Sequence, residues 1–171
     1  MIKKFVIAAS VFLSACTGLP ADVKPVKNFE PDRYLGTWYE IARLDHRFER
    51  GMSHVTAEYS LREDGGIRVT NRGYYTESGE WKEAEGKAYP VGSRDEGHLK
   101  VSFFGPFYGS YAIFELEQTD YQYAFVAGNS PDYLWLLARS PSVSENVRNS
   151  FISKSESLGF PVEDLIFVDH Q

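Results

Sequence analysis

The chain has 171 residues, enough for one domain with a sizeable core and too few for two. Its 24 acidic side chains outnumber 18 basic ones, giving a net charge of −6 without a basic stripe, which excludes nucleic acid as a partner. The single cysteine, Cys16, excludes an internal disulfide and a thiolate metal cage, and no apolar run reaches the roughly 18 residues that span a bilayer.

The first sixteen residues have the anatomy of an export signal. Met1-Ile2-Lys3-Lys4 is a short positive region, Phe5 to Phe12 is apolar, and Leu13-Ser14-Ala15-Cys16 follows at once. Small residues ahead of a cysteine resemble a lipobox, which implies cleavage before Cys16 and acylation of Cys16 itself. Two or more acyl chains anchor stably where one is marginal. Thr17 stands where an Asp would resemble an inner-membrane retention signal, so the expected location is the outer membrane, facing the periplasm. Thr17 to Glu30 carries two prolines and little apolar pattern, and reads as an extended tether. The expected organisation is a leader over 1–15, lipidated Cys16 and tether over 16–30, and one domain over 31–171.

From Tyr34 onward, β-type segments alternate with turn signals at the cadence of a sandwich or barrel. The pattern predicts strands over Thr37–Asp45, Val55–Arg62, Ile67–Tyr75, Glu80–Tyr89, His98–Phe104, Tyr108–Glu117, Tyr121–Ala127 and Tyr133–Arg139. Short links such as Glu63-Asp64-Gly65-Gly66 make neighbours antiparallel, so the predicted fold is all-β: an eight-stranded up-and-down barrel with room for one small ligand. Ser142-Val143-Ser144-Glu145 then reads as a capping box, and Val143, Val147 and Phe151 form a narrow apolar stripe on a flanking helix. Gly159 and Pro161 end that helix, and Leu165–Val168 predicts an edge strand.

Up-and-down topology brings the start of the first strand, the sixth turn and the end of the eighth strand to one end of the barrel. Those places hold Gly36-Thr37-Trp38, Thr119-Asp120-Tyr121 and Arg139. With this spacing the chain resembles the lipocalin family, whose three motifs match Gly36-Thr37-Trp38-Tyr39, Thr119-Asp120-Tyr121 and the Arg139 of Leu137-Ala138-Arg139. The resemblance covers about Pro31 to Val168. It is closest to the bacterial outer-membrane lipoprotein members and, among animal members, to apolipoprotein D. It implies that Trp38 plugs the barrel floor with the Arg139 guanidinium over its ring, a cation–π contact worth about 1–2 kcal/mol when desolvated. Gly36, Trp38, Asp120 and Arg139 are on this reading structural.

Alternation assigns an inner face to Tyr133, Trp135 and Leu137, to Asn71 with Gly73 and Tyr75, to Ala57 and Tyr59, to Val101 and Phe103, and to Ala124 and Val126. Small residues Ala84, Gly86 and Ala88 are expected to leave space. The sixth strand is ambiguous: the family resemblance favours Tyr111 and Ile113, the local pattern favours Phe114 and Leu116, and a bulge near its middle would reconcile them. The 12 Phe, 11 Tyr and 3 Trp suit a half-wet pocket. The expected ligand is a fatty acid or lysophospholipid, its chain beside Trp135, Val126 and Val101 and its polar end near the mouth. Phe103 to Gly109 lies at the open end, where its aromatics could meet a membrane, pair with a second copy as a homodimer, or fold inward as a lid.

No catalytic residue, cofactor or metal is expected. His46, His54, His98 and His170 fall on strand ends and loops without ligand spacing and read as solvated. No strained serine elbow, phosphate-cradling loop or H-E-x-x-H motif appears. Glu40 could face inward beside Trp38 and Ala42, where burial would raise its pKa. The leading function is lipid storage or transport in envelope maintenance. Its rivals are an envelope esterase or lysolipase and a non-carrier envelope scaffold.

Overall fold

The computed structural model describes residues 17–171; Cys16 and the leader over 1–15 lie outside the described residues. Eight strands form the wall: β1 (Gly36–Arg43), β2 (Met52–Leu61), β3 (Ile67–Tyr75), β4 (Glu80–Pro90), β5 (His98–Phe104), β6 (Phe107–Leu116), β7 (Tyr123–Ala127) and β8 (Leu134–Ala138). Each pairs antiparallel with the next, and β1 closes the ring by pairing with both β8 and β2. A two-residue β9 (Ile166–Phe167) pairs with the upper half of β1, beyond the last residues that β2 covers.

The register shifts in β1, β2, β5 and β6, and the two in β6 and β1 decide which of the expected side chains face in. In β6, Ile113 lies opposite Val126 and Glu115 opposite Phe125, so Phe114 is an extra residue. Tyr111, Ile113 and Leu116 therefore belong to the inner cluster, while Ala112 and Phe114 face outward. This reconciles the two readings of the strand. In β1, Glu40 lies opposite Leu137 and Ala42 opposite Leu136, so the inner face passes from Trp38 and Glu40 to Arg43. Ala42, expected inside, is outside because Ile41 takes up the extra position.

The outward apolar side chains are covered by α2 (Glu145–Ser157), whose fully buried Phe151 meets Phe125 edge-on at 5.1 Å. Its cap is Ser144, whose Oγ accepts from the Val147 N–H; the expected capping box at Ser142 is not formed because the helix starts at Glu145. At the other end the Gly159 N–H donates to the Glu156 carbonyl and the Phe160 N–H to that of Ser155, closing a Schellman motif. That turn buries Phe160 against Phe114.

The segment read as an extended tether is docked instead. Val23 and Phe29 are 6% and 2% exposed. The Val26 N–H donates to the Ile113 carbonyl at 2.8 Å, the Gly97 N–H to the Val26 carbonyl at 2.9 Å, and the Phe29 N–H to the Asp95 carbonyl at 2.8 Å. A Cβ on Gly97 would lie 2.8 Å from Val26 Cγ2, so glycine is what admits the segment here. Three apolar side chains at three-residue spacing suffice to bind it down. Its tail end forms the one-turn α1 (Pro31–Tyr34), which closes the base of the barrel.

Candidate functional site: the barrel lumen

The floor is built from the three motif regions. Trp38 is fully buried, and its indole N–H donates to the Tyr34 carbonyl at 2.8 Å. The Arg139 guanidinium lies 4.0 Å from the Trp38 ring centroid and donates to the carbonyls of Arg33, Thr37 and Tyr121. Gly36 adopts φ +93°, a conformation that favours glycine at this turn into β1. Asp120 is exposed, and only its backbone enters hydrogen bonds. The second motif reaches the floor through buried Tyr121, whose carbonyl receives Arg139 and whose hydroxyl accepts from the Glu30 N–H.

Above the plug, three phenols from α1, β2 and β6 meet. The Tyr111 hydroxyl is 2.8 Å from that of Tyr34 and 2.9 Å from that of Tyr59. Burial pushes all three pKa values above the ordinary phenol value. Of the expected lining, Tyr59, Val126 and Leu137 are buried in the inner cluster, whereas Val101, Phe103, Tyr111 and Trp135 face in yet stay only half-buried. Asn71 lies opposite Ala57 on the same face, its Oδ1 buried without a partner. Gly86 leaves no gap: a Cβ there would lie 2.8 Å from the Phe103 ring, so that ring occupies the space.

The mouth holds a polar cluster that the sequence reading missed. Arg43, buried inside the barrel, donates to Glu40 Oε1 at 2.8 Å and to the carbonyls of Glu49 and Met52. Glu49 Oε2 accepts from Trp135 Nε1 at 3.2 Å and lies 2.9 Å from His46 Nε2. Burial, with the Glu49 charge added, holds the Glu40 carboxyl well above the usual carboxylate range against the pull of Arg43. Burial also pushes Glu49 up, but His46 and Trp135 outweigh it and leave its pKa lowered.

None of the four histidines is simply solvated. His46 is 7% exposed, with its ring 5.3 Å from Trp135 and 5.7 Å from Tyr133. The segment linking β1 to β2 folds back over the mouth and carries it there. Tyr133, expected in the lining, stacks on Trp135 at this rim. His98 bonds Ser110 on the outer wall, and His54 and His170 bond backbone carbonyls of Gln171 and Glu40. Among the described residues no cluster of His, Cys, Asp and Glu could hold a metal ion. Phe104 and Phe107, in the turn at the open end, are 71% and 75% exposed and do not form a lid.

A closed antiparallel barrel, sealed at one end by an indole with a guanidinium beneath it and lined above by half-buried apolar side chains, defines the class of cup-shaped β-barrels. The family model of the lipocalin-like domain matches residues 29–170, and the chain belongs to the lipocalin family. It is 59% identical over 167 residues to outer membrane lipoprotein Blc of Vibrio cholerae, covering 98% of both chains. Identity to the Escherichia coli protein of the same name is 49% over 162 residues, covering 94% of this chain and 91% of that one. Apolipoprotein D of Macaca fascicularis is 35% identical over 136 residues, or 75% of this chain and 68% of that one. The solved structure of insecticyanin from the tobacco hornworm Manduca sexta superposes with a TM-score of 0.70 at 24% identity, over 90% of this chain and 87% of that one.

Proposed function

We propose that this chain is a lipid-anchored outer-membrane carrier that holds one fatty acid or lysophospholipid in its barrel and moves or stores it during envelope maintenance, without chemical change. The observation that carries this reading is the set Val101, Phe103, Tyr111 and Trp135: large side chains turned into a closed barrel yet only half-buried. Apolar groups left accessible inside a fold give up burial that packing would supply, and a ligand restores it. The names of the Vibrio and Escherichia relatives, which match along nearly the whole chain, support the outer membrane and acylation of Cys16 after removal of residues 1–15. Because Leu19 and Val23 pack on the barrel, no more than Thr17 and Gly18 would separate that anchor from the docked chain. This holds the domain close to the membrane.

Native mass spectrometry of the protein purified from membranes is the test. A single co-bound fatty acid or lysophospholipid is expected, with saturable Trp fluorescence changes when the emptied protein is titrated with that lipid. A protein that arrives empty and shows no saturable change is not a carrier. Release of free fatty acid from added lysophospholipid would make it a lysolipase instead.

A further inference from the structure

The three phenols above the plug carry a counting constraint. Three hydroxyls hold three protons, and the two hydrogen bonds among Tyr34, Tyr111 and Tyr59 use two of them. Whichever way the chain of bonds runs, one O–H is left without an acceptor. If the bonds run in sequence, the spare proton is on Tyr34 or Tyr59, 0% and 4% exposed; if both donate to Tyr111, it is on Tyr111, half-buried and turned into the lumen. Burial keeps all three phenols neutral, so the surplus proton is not shed. A buried donor left unpaired destabilises the site until something accepts from it.

The opposite deficiency stands one inward step along the wall. Asn71 Oδ1 is a buried acceptor with no donor, opposite Ala57, which lies two residues along β2 from Tyr59. Among the described residues, the one cation whose charge reaches these phenols, Arg139, has its nitrogens committed to the carbonyls of Arg33, Thr37 and Tyr121. Arg139 lies beneath the Trp38 ring, and Arg43 is held at the mouth by Glu40. Donor and acceptor without a charge fit a neutral group and penalise an anion.

We infer that the floor of the lumen is a hydrogen-bonding subsite for an uncharged polar group of the ligand, such as a hydroxyl, a carbonyl or a protonated carboxyl. This rests on the carrier reading and gives the ligand a direction: the neutral polar group goes down to the tyrosines. That is opposite to the orientation expected from sequence, with the polar end at the mouth. A charged headgroup stays at the mouth.

The test uses the full chain and two ligands of equal length, 1-octanol and octane, titrated into the wild type and into the Tyr34→Phe/Tyr59→Phe/Tyr111→Phe variant. The ratio of the octane Kd to the octanol Kd cancels ligand hydration when compared between the two proteins. That ratio should fall about tenfold in the variant, with octane affinity retained. An unchanged ratio with both ligands still binding overturns the subsite and leaves the carrier intact. Saturable binding of neither ligand by the wild type counts against the carrier itself. A crystal structure of the wild type with 1-octanol tests the same point should the variant misfold. The alcohol oxygen is expected within about 3.2 Å of a floor tyrosine Oη, and a hydroxyl lying at the mouth overturns the inference.

Discussion

The Arg139 guanidinium lies beneath Trp38, 4.0 Å from its ring centroid, while its nitrogens donate to three carbonyls from α1, β1 and the turn before β7. A planar fork suits this task and an ammonium does not, because stacking and divergent hydrogen bonds are needed together. Arg139→Lys keeps the charge and should still cost about 2 kcal/mol in urea unfolding. A loss below about 0.5 kcal/mol would show that the charge alone holds the seal.

Glu40 makes stability depend on pH. Burial and the neighbouring Glu49 raise its pKa in the folded chain, so the folded state holds this proton more tightly than the unfolded chain does. Wild-type stability from this group is therefore present below the unfolded carboxylate value and lost as pH rises through the folded one. Glu40→Gln removes that loss. Its stability relative to wild type should climb as pH rises from the ordinary carboxylate value of 4.5 toward neutral, measured by denaturation at stepped pH. A flat difference would mean that Arg43 keeps Glu40 ionised throughout.

The docked segment ahead of α1 is a part of the core. Phe29 is 2% exposed and packs on Tyr34, with ring centroids 5.4 Å apart. Phe29→Ala should lower unfolding stability by about 3 kcal/mol. A free tether would lose nothing, so urea midpoints of the two proteins separate the alternatives.

Phe104 and Phe107 leave large apolar surfaces in water at the open end. Replacing both by Ser should leave stability within about 0.5 kcal/mol. In a Cys16→Ser background, where no acyl anchor dominates, we expect vesicle binding to weaken at least about tenfold by sedimentation. If vesicle binding holds and sedimentation shows a dimer lost instead, the surface serves a second copy of the chain.

Much of this protein is written locally in its chain. Period-two alternation and short turns fix eight strands, and up-and-down order alone brings Trp38 and Arg139 to one end across about a hundred residues of sequence. Alternation also places Val101, Phe103, Val126, Trp135 and Leu137 on the inner face, because a side chain's face depends only on its parity along an unbroken strand.

Tertiary structure decided what parity cannot carry. One inserted residue at Phe114 and another at Ile41 switch the later side chains of their strands to the other face. The first shows in the sequence only as a conflict of parities. The second leaves no mark, because its position is set by the register with the partner strand. The mouth cluster joins Glu49 to Trp135, and the floor joins Tyr34 to Tyr111, in each case across long stretches of chain. Whether a polar group is solvated or buried depends on its partner, and that partner is set by the closed barrel, not by the neighbouring residues.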